Sequence, residues 1–353
     1  LAWVKDQEPA LFEKIDKVCL PGDYLAYRLT GELTTTITGL SEGIFFDFER
    51  QQVSAELLVH FGFSNSILPT VKPSFAKHGT IRAQLAQTLG LSPAAEVTYK
   101  AGDQPNNALS LNVLQPGEIA ATAGTSGVVY GVSDQLFIDE TQRVNSFAHV
   151  NYTPDSSRIG VLLCINGTGI ANSWAQQWTG AKSYTAMNEL VSNIPPGSEG
   201  LSFWPFGNGA ERMLGNANPG SQLKGLQFNW HKPAHLYRAV QEGIAYSFLY
   251  GMEAFTENGM DLQVIRAGQA NMFLSQPFVQ TLASLAGVSI ELYNTDGALG
   301  AARGALIGAG TVSLKEAFKD LQIVQTFQPK AQEQRQYQEL YPIWKKQLLQ
   351  QIS

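Results

Sequence analysis

Val97-Thr98-Tyr99-Lys100-Ala101-Gly102-Asp103-Gln104-Pro105 and, one helix later, Ile119-Ala120-Ala121-Thr122-Ala123-Gly124-Thr125-Ser126-Gly127 decide how the chain reads. The first stretch alternates like a strand, turns at Gly102-Asp103, and enters a helical pattern that continues to Leu114. The second holds two short strand-like runs, 119–122 and 128–132, on either side of Gly124-Thr125-Ser126-Gly127. Downstream, strand patterns at 158–164, 263–267 and 289–292 alternate with helical patterns at 170–177, 233–255, 277–285 and 299–307. Strand and helix in alternation predict an α/β fold. Upstream the texture is more helical. Pro9 opens a helix expected to run toward Cys19, and Pro21 opens another that stops at Gly31. The run Thr34–Thr38 leads into an extended stretch at 43–48, and amphipathic segments near 54–61 and 81–89 each end at a glycine. The Gln-rich end, 325–351, reads as a solvated helix pair. Gln115-Pro116-Gly117 marks the domain boundary, giving domains at 1–115 and 116–353.

A chain of 353 residues suggests two domains, and its 44% hydrophobic and 15% charged residues supply a large core and exclude wholesale disorder. The net charge of −6 argues against nucleic acid or an anionic membrane as partner. Two cysteines, Cys19 and Cys164, make no disulfide framework, and no Cys/His spacing is that of a zinc site. Apolar runs such as Val161-Leu162-Leu163-Cys164-Ile165 are too short to span a bilayer, and no secretory pattern opens the chain. A cytoplasmic protein is expected. Trp3, Trp174, Trp178 and Trp204 read as core or interface residues.

Four stretches carry chemical content, each with a plainer alternative. Asp103 is either the N-cap of the following helix or a carboxylate held ionised at a helix N-terminus, ready to take a proton. Gly124-Thr125-Ser126-Gly127 is either a hairpin turn or a phosphate cradle of converging N–H groups and hydroxyls. Gly268-Gln269-Ala270-Asn271 is either a strand-to-helix loop or a close backbone approach for a flat ligand. Asn166-Gly167-Thr168-Gly169 ends a strand and opens a helix, a phosphate-like chemistry in a weak pattern. No nucleophile–His–acid arrangement occurs. The five histidines share no ligand spacing, and no residue is assigned to a metal.

In this order the pieces resemble the FGGY family of carbohydrate kinases. Leu1-Ala2-Trp3-Val4-Lys5-Asp6-Gln7 is similar to the end of that family's first signature. Gly225-Leu226 with His235-Leu236-Tyr237-Arg238-Ala239-Val240-Gln241-Glu242 is similar to its second. Asp23-Tyr24-Leu25-Ala26-Tyr27-Arg28-Leu29-Thr30-Gly31-Glu32 and the block 101–127 resemble its xylulokinases most.

The resemblance implies the actin-like ATPase architecture of two ribonuclease-H-like domains, the first incomplete: 1–115 from the sugar-binding domain, 116–353 the nucleotide-binding one. It implies ATP and Mg²⁺ as cofactors, a sugar as substrate, and D-xylulose to D-xylulose 5-phosphate as the reaction. Ribulose, gluconate or glycerol as acceptor, or a non-catalytic nucleotide-binding protein of the same fold, are the alternatives, and a homodimer is left open. Asp103 takes the place of the catalytic base, with Gln104 at the sugar where many members have Asn. Gly124, Thr125, Ser126 and Gly127 fall on a phosphate loop. Gly167 and Thr168 fall on nucleotide contacts, and Gly268, Gln269, Ala270 and Asn271 on the adenosine loop, in a form similar to that of glycerol kinases. Gly297 and Gly300 read as close-packing positions. The family's early Asp-x-Gly-Thr turn does not occur, and the chain opens without Met. It is therefore expected to be the later part of a longer kinase, inactive alone.

Overall fold

The computed structural model describes residues 1–136 and 138–352, which divide into two compact units. The first comprises Leu1–Asn112, Phe147–Ile159 and Gly297–Asp320; the second comprises Val113–Ser146, Gly160–Asp296 and Leu321–Ser353.

The first unit is built from short pieces. Pro21 starts the helix Pro21–Thr30, and Gly31 ends it in the left-handed conformation that glycine adopts without strain. Thr34–Thr36 is a strand paired in parallel with Thr70–Lys72. The Thr36 hydroxyl then caps the helix Ile37–Glu42 by accepting the N–H of Gly39. The extended stretch expected at 43–48 shrinks to the strand Phe46–Asp47. The helix opened by Pro9 ends at Phe12 rather than continuing toward Cys19. No buried face supports a longer one.

Glu96–Tyr99 pairs antiparallel with Phe75–Thr80 and delivers the chain to the helix Asp103–Ser110. Against that helix and strand lies Gly297–Gly308. Its glycines are what permit the approach. A Cβ at Gly300 would stand 2.8 Å from the Asn106 carbonyl oxygen, and one at Gly304 would stand 2.6 Å from the Tyr99 ring.

The second unit holds the main sheet, with strands in the order 323–327, 289–293, 264–268, 118–123, 127–133 and 159–165. Val264–Gly268 runs parallel to both Ser289–Tyr293 and Glu118–Ala123, while Glu118–Ala123 and Gly127–Ser133 form an antiparallel hairpin. The hairpin turn is therefore the glycine-rich loop 124–126. The helix Pro233–Glu257 is buried over most of its length and packs against the helices Gly169–Thr179 and Gln276–Ala286. The expected terminal helix pair is instead one strand and one helix. Ile323–Phe327 joins the sheet edge, and Ala331–Ile352 docks through Tyr337, Tyr341, Trp344 and Leu348. Trp204 is buried and stacks on Trp344, whereas Trp3 and Trp178 are both 67% exposed. Among the described residues no helix is long and apolar enough to cross a membrane.

Candidate active site

Residue 102 is extended, and its carbonyl accepts the N–H of Asn106. The helix cap is thus Gly102, and Asp103 is the first helical residue, one position later than the capping alternative had it. The Asp103 carboxylate is exposed. Its Oδ1 accepts the N–H of Gln104 at 2.8 Å and its Oδ2 the Gln104 side-chain amide at 3.3 Å. Local bonds and the positive end of the helix hold this carboxylate in place.

Asp103 lies on a pocket of about 630 Å³ within the first unit, shared with Asp23, Glu42, Tyr99, Lys100 and Asn106. Lys100 and Asp23 form a buried ion pair at 2.7 Å, and the Lys100 ammonium also donates to the Thr34 carbonyl. Burial pulls the Lys100 ammonium down from its ordinary value, against the opposing pull of Asp23. Glu42 packs over Gly102. Burial, with the charges of Asp103 and Asp23 adding to it, pushes the Glu42 carboxyl up to about 7. Asp23 Oδ2, Glu42 Oε1, Asn106 Oδ1 and the Tyr99 hydroxyl are buried with no hydrogen-bond partner among the described residues.

None of Asp23, Glu42, Lys100 or Asn106 was singled out from the sequence. Lys100 left one signal, a charge inside the strand pattern that precedes the Gly102-Asp103 turn. Glu42 left none, because its importance comes from Gly102 packing beneath it.

In the second unit three of the four glycine-containing stretches meet. A pocket of about 530 Å³ is lined by Gly124 and Thr125, by Gly169, Ile170 and Asn172, and by Asn271. Gly124 and Asn271 are neighbours, since a Cβ at residue 124 would stand 3.7 Å from the Asn271 amide nitrogen. Thr125 and Ser126 are exposed, and their backbone N–H groups meet no acceptor among the described residues. Such a pair of free amides suits an anion. Gly127 is buried against Phe248 and the Thr168 methyl, so it shapes the loop from behind.

Gly167 is buried and left-handed, φ +80°, where a Cβ would overlap the Pro205 carbonyl. Thr168 is fully buried, and its hydroxyl donates to the Gly124 carbonyl at 2.8 Å and to the Thr125 carbonyl at 3.1 Å. Of the run 268–271, Asn271 reaches the pocket, with φ +53°, while Gly268, Gln269 and Ala270 lead into it from the sheet. Asn172, on the same pocket wall, has a buried side-chain oxygen without a partner among the described residues.

The profile of the FGGY family of carbohydrate kinases, N-terminal domain, matches residues 1–110, and that of the C-terminal domain matches 119–310. The xylulose kinase of Klebsiella pneumoniae is 30% identical over 314 residues, covering 86% of this chain and 61% of that protein. The xylulose kinase of Escherichia coli is 30% identical over 351 residues, covering 96% of this chain and 69% of that protein. The chain thus spans about two thirds of the length of these relatives.

Among solved structures, a ligand-bound xylulose kinase from Lactobacillus acidophilus superposes with a TM-score of 0.88 at 23% identity, covering 98% of this chain and 70% of that one. A gluconate kinase from the same organism gives 0.91 at 22% identity, covering 100% and 71%. Both show the fold, the actin-like, ribonuclease-H-like architecture of these kinases. The two profiles together with the 30% identity to the Escherichia coli relative place the chain: it belongs to the FGGY family of carbohydrate kinases.

Proposed function

We propose that the protein of which these residues are part transfers the γ-phosphoryl group of ATP to a sugar hydroxyl, with D-xylulose as acceptor and D-xylulose 5-phosphate as product. The observation that carries this reading is Asp103, an exposed carboxylate at a helix start on a pocket rich in unpartnered acceptors. A polyol offers hydroxyl donors that such a pocket lacks. The 5-hydroxyl oxygen attacks the γ-phosphorus as the bond to the ADP oxygen breaks, and the hydroxyl proton passes to Asp103. Because the transition state is loose, the carboxylate orients the hydroxyl first and takes the proton late.

Residues 1–115 carry this sugar-side chemistry, with Gln104 beside the base, and 116–353 hold the nucleotide. The amides of Thr125 and Ser126 face phosphate oxygens, and Asn271 faces the nucleoside. Among the described residues no three His, Cys, Asp or Glu side chains gather to hold a metal. Mg²⁺ bound with the nucleotide would offset charge on the phosphate oxygens, and the steps assigned here are those of the chain's own groups. D-xylulose is favoured over other acceptors by the xylulose kinases among the 30%-identical relatives.

The test is Asp103→Asn in the full-length gene product, assayed for sugar-dependent ADP release. Loss of a positioned base lowers turnover by about 10²–10⁴-fold, while ADP affinity stays within about threefold, roughly the effect of one weak contact. Near-normal turnover would sink the assignment. A panel of D-xylulose, L-xylulose, ribulose, gluconate and glycerol on the unsubstituted protein decides the acceptor.

A further inference from the structure

The start of the helix Gly169–Thr179 and the loop 124–127 are two halves of one interlock. Thr168 occupies the N-cap position, yet its side chain accepts nothing from its own helix. Its hydroxyl turns outward and is shared between the carbonyls of Gly124 and Thr125. The next two residues repeat the pattern through their backbones. The N–H of Gly169 donates to the Gly124 carbonyl at 2.8 Å and that of Ile170 to the Thr125 carbonyl at 3.3 Å. Three consecutive residues therefore fasten two consecutive carbonyls.

Glycine at 169 is needed for this, because a Cβ there would collide with the Gly124 carbonyl oxygen. Gly127 is required from the other side, where a Cβ would stand 2.7 Å from the Thr168 methyl. Peptide planes are rigid, so a carbonyl pinned toward the helix turns the N–H of the same plane away from it. The planes that hold the Gly124 and Thr125 carbonyls end in the N–H groups of Thr125 and Ser126, the two without an acceptor.

We infer that Thr168 is a positioning residue: buried and touching no ligand, it aims the Thr125 and Ser126 amides at the phosphates of a nucleoside diphosphate or triphosphate. This rests on the nucleotide reading of the pocket and goes beyond it, since it moves Thr168 from the ligand to the loop behind it. The helix N-terminus likewise serves the loop, its first two N–H groups being taken by loop carbonyls.

The experiment compares Thr168→Val, which keeps the shape and loses the hydroxyl, with Thr168→Ser, which keeps the hydroxyl. ADP and adenosine binding are measured by calorimetry, and the Thr125 and Ser126 amide resonances are followed in the ligand-free protein. Thr168→Val is expected to weaken ADP about tenfold, the equivalent of one hydrogen-bonded anchor. Adenosine affinity should change less than about twofold, since no loop contact to phosphate is involved. Both amide resonances should shift or broaden before any ligand is added, and Thr168→Ser should restore ADP affinity and resonances alike. Should Thr168→Val not fold, Thr168→Ala carries the same expectation.

Equal weakening of ADP and adenosine, or unmoved amide resonances in the free protein, overturns the proposal. If the unsubstituted protein binds no ADP, the nucleotide reading falls and takes the purpose assigned to Thr168 with it. The resonances would still report whether Thr168 holds the loop.

Discussion

Glu42 occupies the space that a side chain on Gly102 would need: a Cβ built there would collide with both carboxylate oxygens. A side chain before Asp103 would thus have to displace the Glu42 carboxylate, while the backbone there, at φ −68°, makes no demand for glycine of its own. Burial, with the charges of Asp103 and Asp23 behind it, holds the Glu42 carboxyl at about 7 against 4.5 in the unfolded chain. The folded state therefore keeps a proton that the unfolded state releases between these values. The stabilising preference is whole below about pH 4.5 and is lost as pH rises through 7.

Glu42→Gln fixes the neutral form. Denaturant titrations should find it close to the parent at pH 5 and more stable by roughly 1–3 kcal/mol at pH 8. A stability difference that does not vary across that interval would remove the burial argument. Gly102→Ala should displace the carboxylate and flatten the same pH dependence.

Lys100 and Asp23 are both buried, with side-chain exposures of 7% and 6%, and each neutralises the other. Removing one partner strands a charge. Lys100→Met should lower stability by about 3–5 kcal/mol, and Asp23→Leu added to it should recover most of that loss. Urea midpoints of the two single variants and the double variant form the cycle that decides it. If the losses simply add, the two groups are not coupled.

What was legible in the sequence follows from how local its cause is. Pro21 and Gly31 bracket their helix because each residue's own backbone geometry starts or stops it. The sheet strands of the second unit were readable for a related reason, as short apolar runs bounded by glycine. The stretch 13–19 and the segment 323–327 depart from expectation because tertiary contact, missing for the first and present for the second, decided them. Ile323–Phe327 is mostly exposed, and it becomes a strand by pairing with the edge that Ser289–Tyr293 offers. The first unit's debt to 147–159 and 297–320 left no local trace either. Of the candidate site, the glycine loops and Asp103 could be read, since glycine spacing and a helix-start carboxylate are local features. Glu42, Asp23 and Lys100 gather from separate elements, and only the fold places them on one pocket.

Gly167 and Gly180 allow a last distinction between backbone strain and lost space. Both are left-handed, at φ +80° and +70°. Around Gly180 nothing lies within 4 Å of an added Cβ, whereas at Gly167 the Cβ would overlap the Pro205 carbonyl. Gly180→Ala therefore pays only for conformation, about 1 kcal/mol. Gly167→Ala must also push apart two pieces of backbone, and should lose about 2 kcal/mol or more. The effects on ligand differ further. Gly167 precedes Thr168, so any shift that relieves the overlap moves the hydroxyl that holds the Gly124 and Thr125 carbonyls. Gly167→Ala should then weaken ADP while Gly180→Ala leaves it unchanged, as measured by calorimetry well below both melting temperatures. Equal affinities in the two variants would mean that the loop keeps its shape without Thr168 in register.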